Sequence, residues 1–331
     1  MDYKALALDA WRIARRSRPL WWLGLVSAAQ LVVYAAIMAA TVGPMLLLPQ
    51  LVVAPRTSAT PAETQLQVLR ERVVFMLTDW LAVHGAALIA GAVVAFGVWL
   101  VLGVFDVASQ GGLISQADKA AHGRTASFRS GMRDGFRGWW RVMELLAVAA
   151  LPSLVSMLAT ALVMLFTVTV PLLRGVLPDP MASLAGNAAL SPLSSLAAVV
   201  AIPLGVIVQL GMRDAMLADA DWKTALREGW GLVKARPAEV VAVYLLMIAV
   251  GVGATIVAGV VLGIVAVPTF AVVFALAAGP AAARIAAAVS VIGVLSLIVV
   301  LPFAVLNYVW NSCVWTLFWR RTAGSRRAGL Q

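Results

Sequence analysis

The stretch DWKTALREGWGLVKARPAEVVAVYLLMIAVGVGATIVAGVVLGIVA, residues 221–266, decides how the rest of the chain is read. Its first part sets Trp222, Leu226, Trp230 and Val233 on one side of a helix and Lys223, Arg227 and Lys234 on the other. That division suits a helix lying in a membrane interface. Arg236-Pro237 then ends the segment and opens another helix, because a first turn does not need the amide hydrogen that proline lacks. Beyond Glu239 no charge appears until Arg284, a run longer than the roughly 20 apolar residues that cross a bilayer.

The same order occurs twice more. An acidic, a small and an aromatic residue stand together as Asp9-Ala10-Trp11, Asp134-Gly135-Phe136 and Glu228-Gly229-Trp230, and Arg18-Pro19 repeats the junction of Arg236-Pro237. Near the start, Tyr3, Leu6, Ala7, Ala10, Trp11, Ile13 and Ala14 share one helical arc, opposite Asp2, Lys4, Asp9, Arg12, Arg15 and Arg16. In the middle copy Arg129, Arg133, Arg137 and Arg141 recur at intervals of four beside Phe128, Met132, Phe136 and Trp139. A cytoplasmic helix packed on protein has the same division and stands as the alternative to an interfacial one. The unit is one amphipathic interfacial helix plus one transmembrane hairpin, used three times over about 1–112, 113–220 and 221–320, with a basic C-terminal tail at 320–331.

The expected fold is therefore all-α and polytopic, a single integral membrane domain over 1–331. Its six spans lie near 20–43, 81–106, 142–170, 192–212, 238–266 and 284–312. Composition agrees: 62% of residues are hydrophobic and only 12% charged, about half the charge of a soluble domain. Lipid cannot hydrogen-bond an exposed backbone, so unbroken apolar runs of this length are helices.

Charge sets the expected orientation. Of 25 Lys and Arg residues, 20 fall in 1–18, 113–141, 211–237 and 318–331, and the intervening connections hold only Arg56, Arg70, Arg72, Arg174 and Arg284. Basic residues near span ends are retained inside, which places both termini in the cytoplasm. The net charge of +10 is read as attraction to anionic phospholipid and not to nucleic acid, since every large basic block abuts an apolar span. The candidate lipid contacts are Arg12, Arg15, Arg16, Arg129, Arg133, Arg137, Lys223, Arg227 and Lys234. Trp11, Trp21, Trp22, Trp139, Trp140, Trp222, Trp230, Trp310, Trp315 and Trp319 all fall near the cytoplasmic boundaries, where indole rings prefer to sit. The single Cys313 reads as a small apolar filler, and the first apolar run, too long for a signal peptide, is kept as an uncleaved span.

The connections carry further signals. Thr60-Pro61-Ala62-Glu63 has the grammar of a capping box and starts a polar extension of the second span. Residues 173–190 read as a link ending at a helix start, Ser191-Pro192, and Pro268 to Gly279 as a short interfacial or re-entrant segment. Pro152, Pro203 and Pro302 lie within spans. Gly259 and Gly263 form a small face that suits close helix packing within the chain.

Polar pairs one helical turn apart stand near the inner ends of three spans: Asp106 with Gln110, Gln209 with Arg213, and Asn307 with Asn311. They form a candidate polar cluster in which Asp106 pairs with Arg213 if those helices adjoin, with a structural interhelical role weighed against a transport or catalytic one. His84 and Asp79 flank the outer start of the second span and read as interfacial surface residues rather than a proton-handling couple; His122 is the only other histidine. No His pair at one-turn spacing, no phosphate-cradling glycine loop and no magnesium-type acidic run occurs, so neither enzyme activity, cofactor nor metal is expected.

The order of surface helix, tryptophan, basic-Pro junction and hairpin, repeated to six spans, resembles a broad group of bacterial membrane proteins. It is similar to the membrane domain fused to some glycerophosphodiester phosphodiesterases and to YciC-type inner-membrane proteins. The likeness covers nearly the whole chain without their catalytic domain, and it implies no catalytic residue here. The leading functional expectation is a non-enzymatic integral membrane protein that binds anionic lipid, or a membrane-protein partner, through its basic helices. The alternative is a small-molecule or lipid transporter with a cavity between repeats.

Overall fold

The structure, a computed structural model, describes residues 1–29, 62–170, 180–276 and 281–328, and every regular element among them is helical. In chain order these are α1 (Tyr3–Arg16), α2 (18–29), α3 (Ala62–Ala121), α4 (Phe128–Arg137), α5 (Trp139–Met164), α6 (Pro180–Leu217), α7 (Trp222–Ala235), α8 (Pro237–Leu276) and α9 (Ala281–Ala328). A π-helical turn, Leu165–Thr169, continues α5. Among the described residues five stretches are long and apolar enough to cross a membrane: Ile89–Ala121, Trp139–Thr167, Ala188–Leu217, Pro237–Leu276 and Val291–Ala323. This is compatible with a multi-pass integral membrane protein. Most of the expected first span, 30–43, lies outside the described residues, as do Thr60, Pro61 and the start of the 173–190 link.

Local chemistry explains the short helices. Asp2 caps α1 by accepting from the amide of Ala5 at 3.0 Å, and the Trp21 indole donates to the Ala14 carbonyl at 2.8 Å, fixing the turn into α2. Asp221 caps α7 through the Thr224 amide at 3.4 Å, and its hydrogen bonds with Thr224 hold its carboxyl below the usual range.

Four of the long helices, α3, α6, α8 and α9, exceed the expected spans at both ends. At 1.5 Å per residue the 60 residues of α3 extend about 90 Å and the 48 of α9 about 72 Å, against a hydrocarbon core of about 30 Å. Three expectations change accordingly. Ser191-Pro192 is not a helix start, because α6 already begins at Pro180 and Pro192 lies inside it. Pro268 does not open a separate segment but sits within α8, which runs on to Leu276. An unpaired backbone group in lipid costs several kcal/mol, so continuing a helix past proline is cheaper than breaking it there. The expected basic tail at 320–331 is helical through Ala328, with Thr322 buried at 1% exposure.

The chain divides into two compact units. One comprises Met1–Ala39, Trp99–Val148 and Leu204–Gln331. Its core gathers at the basic helix ends, around Leu6, Leu20, Leu23, Leu113, Leu210 and Phe318. Farther along the helices large apolar side chains stand exposed, such as Ile264 at 68% and Val267 at 71%. Lipid tails solvate such side chains as well as protein does, so apolar burial does not drive packing there. The other unit comprises Ala40–Val98 and Ala149–Pro203, where Ser156 and Ser194 share a hydrogen bond at 3.0 Å. Gly259 and Gly263 pack against nothing: no described atom stands within 4 Å of a Cβ at either position, so their small face is open rather than a helix contact.

Candidate functional site

Two of the three basic helices are seated by glycine. A Cβ on Gly135 of α4 would strike the carbonyl oxygen of Ala108 and come within 3.0 Å of the Gly112 nitrogen, both on α3. A Cβ on Gly229 of α7 would meet the carbonyl oxygen of Ile207 at 2.6 Å and the Gly211 nitrogen at 3.1 Å, both on α6. The two contacts match atom for atom, oxygen at one position and nitrogen four residues on. One turn earlier, Gly112 faces the Gly131 carbonyl and Gly211 the Ala225 carbonyl, at 2.6 and 2.9 Å from their would-be Cβ atoms. Each helix thus lies on the C-terminal end of the long helix preceding it.

The first basic helix, α1, packs on α9. The Trp310 indole donates to the Ala7 carbonyl at 3.4 Å, and Arg321 pairs with Asp9 at 2.8 Å. Leu6, Ala10 and Ala14 are fully buried. Trp310, Trp315 and Trp319 are consequently core residues rather than interfacial anchors, filling α9 against its neighbours.

The three seats leave similar faces outward. Ala10, Gly135 and Gly229 are buried, and the aromatic that follows each is exposed: Trp11 at 41%, Phe136 at 45% and Trp230 at 44%. Arg12, Arg15, Arg16, Arg129, Arg133, Arg137, Lys223, Arg227 and Lys234 are all exposed. Only Arg12 among them enters an ion pair, with Asp9; the rest have none among the described residues. Lys223 and Lys234 lie over the Trp222 and Trp230 rings, 5.5 and 4.9 Å from the centroids.

Acidic residues are used as anchors instead. Asp134 accepts from Lys119 at 2.7 Å and Ser115 at 2.8 Å, and the fully buried Gln116 caps α4 by accepting from the Ser127 amide at 3.0 Å. Partial burial pushes the Asp134 carboxyl up, but the hydrogen bonds from Lys119 and Ser115 and the charges of Lys119 and Arg133 outweigh it and hold the group below its ordinary value. A depressed carboxyl stabilises the fold above its unfolded value, near 3.8, and loses that contribution as pH falls through the lower folded value. Protection of the α4 amides, taken relative to their intrinsic exchange rates, should therefore fall at acid pH in the wild type. In Asp134→Asn it should be low already at neutral pH and change little on acidification.

The polar cluster is partly connected. Gln110 donates to Asp106 at 3.0 Å, and Arg213 donates to the Gln209 carbonyl at 2.5 Å and side-chain oxygen at 2.6 Å. Asn307 and Asn311 make no corresponding bond, and Oδ1 of each is buried without a partner. Asp106 and Arg213 form no ion pair, contrary to expectation. Arg213 turns instead toward its own helix and α9, where Nη2 stands 3.5 Å from the Ser312 carbonyl. Ser27 and Ser109 join α2 to α3 at 2.5 Å. His122 stands 2.6 Å from Arg320, which also pairs with Asp118, while the side chains of His84 and Asp79 lie outside the described residues.

Sequence reading missed the glycine seats. Gly111-Gly112 preceding Gly131 and Gly135 by about 20 residues is the signal that marks one, since close backbone approach requires glycine on at least one side. No family model, no curated protein and no solved structure matches the chain.

Proposed function

We propose that the chain is a non-enzymatic integral membrane protein of a bacterial cytoplasmic membrane, in which three basic interfacial helices hold anionic phospholipid. The architecture is six spans in three units, each a basic surface helix followed by a hairpin, with both termini cytoplasmic. The observation that carries the reading is the shared edge of α1, α4 and α7: a buried small residue, an exposed aromatic, then exposed bases without acidic partners. Indole and phenyl rings settle at headgroup depth, and guanidinium and ammonium groups beside them meet phosphates. The likeness to YciC-type inner-membrane proteins and to phosphodiesterase-fused membrane domains agrees with this and adds no activity.

Two readouts test it. After Cys313→Ala, a cysteine at Ser58 should react with an external impermeant reagent and one at Ser325 should not; the reverse pattern overturns the orientation. Melting in nanodiscs should rise when phosphatidylglycerol replaces part of a neutral lipid, and equal melting in both lipids counts against headgroup binding.

A further inference from the structure

Arg213 is the bulkiest fully buried side chain among the described residues, 2% exposed, in a helix long and apolar enough to cross a membrane. No carboxylate lies within ion-pair distance of it among those residues. Its Nη1 is held by Gln209, Nη2 reaches the Ser312 carbonyl, and Nε has no hydrogen-bond partner. Neutral carbonyl and amide dipoles orient the guanidinium but leave its charge uncancelled. Guanidinium does not shed its proton, and an uncompensated buried ion is among the costliest groups a fold can carry.

The neighbouring atoms of α9 are poised in the same way. Ser312 Oγ is buried without a partner, although the Ser312 carbonyl already accepts from Thr316 at 2.8 Å and faces Arg213. The Asn311 amide, one residue before it, has its buried oxygen unpartnered and can turn to present its NH2 group. Asp106 does not serve as the counter-ion, since it lies beyond ion-pair distance of Arg213; Gln110 holds its Oδ2, and its Oδ1 is buried without a partner. A charged N–H, the Nε of Arg213, and a hydroxyl, that of Ser312, both dry and both without a partner, are what an oxyanion needs.

We infer that Arg213 and Ser312, with Asn311 beside them, form a binding site for one oxyanion group, a phosphate or a carboxylate, where α6 meets α9. A free anion and a phospholipid headgroup carry the same chemistry, and the experiment separates them. Purified protein freed of lipid is melted in inorganic phosphate, in acetate and in chloride at equal ionic strength, then titrated with phosphatidylglycerol.

The expected result is a phosphate- or acetate-dependent rise in melting temperature that chloride does not reproduce. Losing a charged donor costs roughly tenfold or more in affinity and losing a neutral one about threefold, which sets the expectations for Arg213→Gln and Ser312→Ala. If phosphatidylglycerol displaces phosphate in the wild type, the natural occupant is a headgroup; if it does not, it is a soluble anion. Should Arg213→Gln fail to fold, Ser312→Ala carries the test. Equal melting in all three salts, or an oxyanion response undiminished in Ser312→Ala, overturns the site.

Discussion

Replacing Gly135 by alanine should detach α4 from α3 and cost about 3 kcal/mol, the upper end of what overpacking costs, because the atoms in the way are backbone. A side chain can rotate aside, whereas the Ala108 carbonyl and the Gly112 amide belong to a helix and can yield only by moving it. Gly229→Ala should behave alike at the matching contact with Ile207 and Gly211. Gly205→Ala supplies the contrast: no described atom stands within 4 Å of the added Cβ, and alanine's better helix propensity should make the change neutral or stabilising by up to about 1 kcal/mol. Thermal melts and proteolysis at Arg129 and Arg133 read both effects. If Gly135→Ala melts with Gly205→Ala, α4 is not seated as described.

Neutralising the eight bases without acidic partners, Arg15, Arg16, Arg129, Arg133, Arg137, Lys223, Arg227 and Lys234, should abolish the advantage of anionic lipid. Each base near an anionic surface contributes about 1 kcal/mol before screening, so the two or three on one helix account for roughly 30- to 100-fold in headgroup affinity. Replacement of one helix's set by glutamine should therefore shift the phosphatidylglycerol titration midpoint about that far, and added salt should shrink the difference. Arg12 lies outside the set because Asp9 already neutralises it at 3.0 Å. A titration unchanged by all eight replacements would reassign the basic edges to solvent.

How much was legible follows from which forces leave a mark in one dimension. The apolar runs of 139–167 and 237–266 announce membrane helices because lipid solvates them directly. The amphipathic segments are legible as helices, and α1 buries the apolar arc read from its sequence, but the other two are seated mainly on small residues. In α7 the seat is Ala225, Gly229 and Leu232, while Trp230 and the bases line the exposed edges. Backbone proximity rewards small residues, and hydrophobicity scales do not register that. Helix ends were underestimated for the same kind of reason. Residues 107–121 and 313–323 are mixed in polarity, so hydropathy ends the span before them, although tertiary contacts with α4 and α1 keep them helical and buried. The polar pairs were legible by spacing, but the rotamer that turns Arg213 away from Asp106 depends on α9, which spacing within α6 does not encode.

The most direct test of the account is an experimental structure in nanodiscs containing phosphatidylglycerol. The account predicts six membrane-spanning helices and phosphate density beside Phe136 with Arg133 and Arg137, beside Trp230 with Lys234, and beside Trp11 with Arg15. Basic edges of α1, α4 and α7 turned to water, with ordered headgroups elsewhere or on none of them, would contradict it.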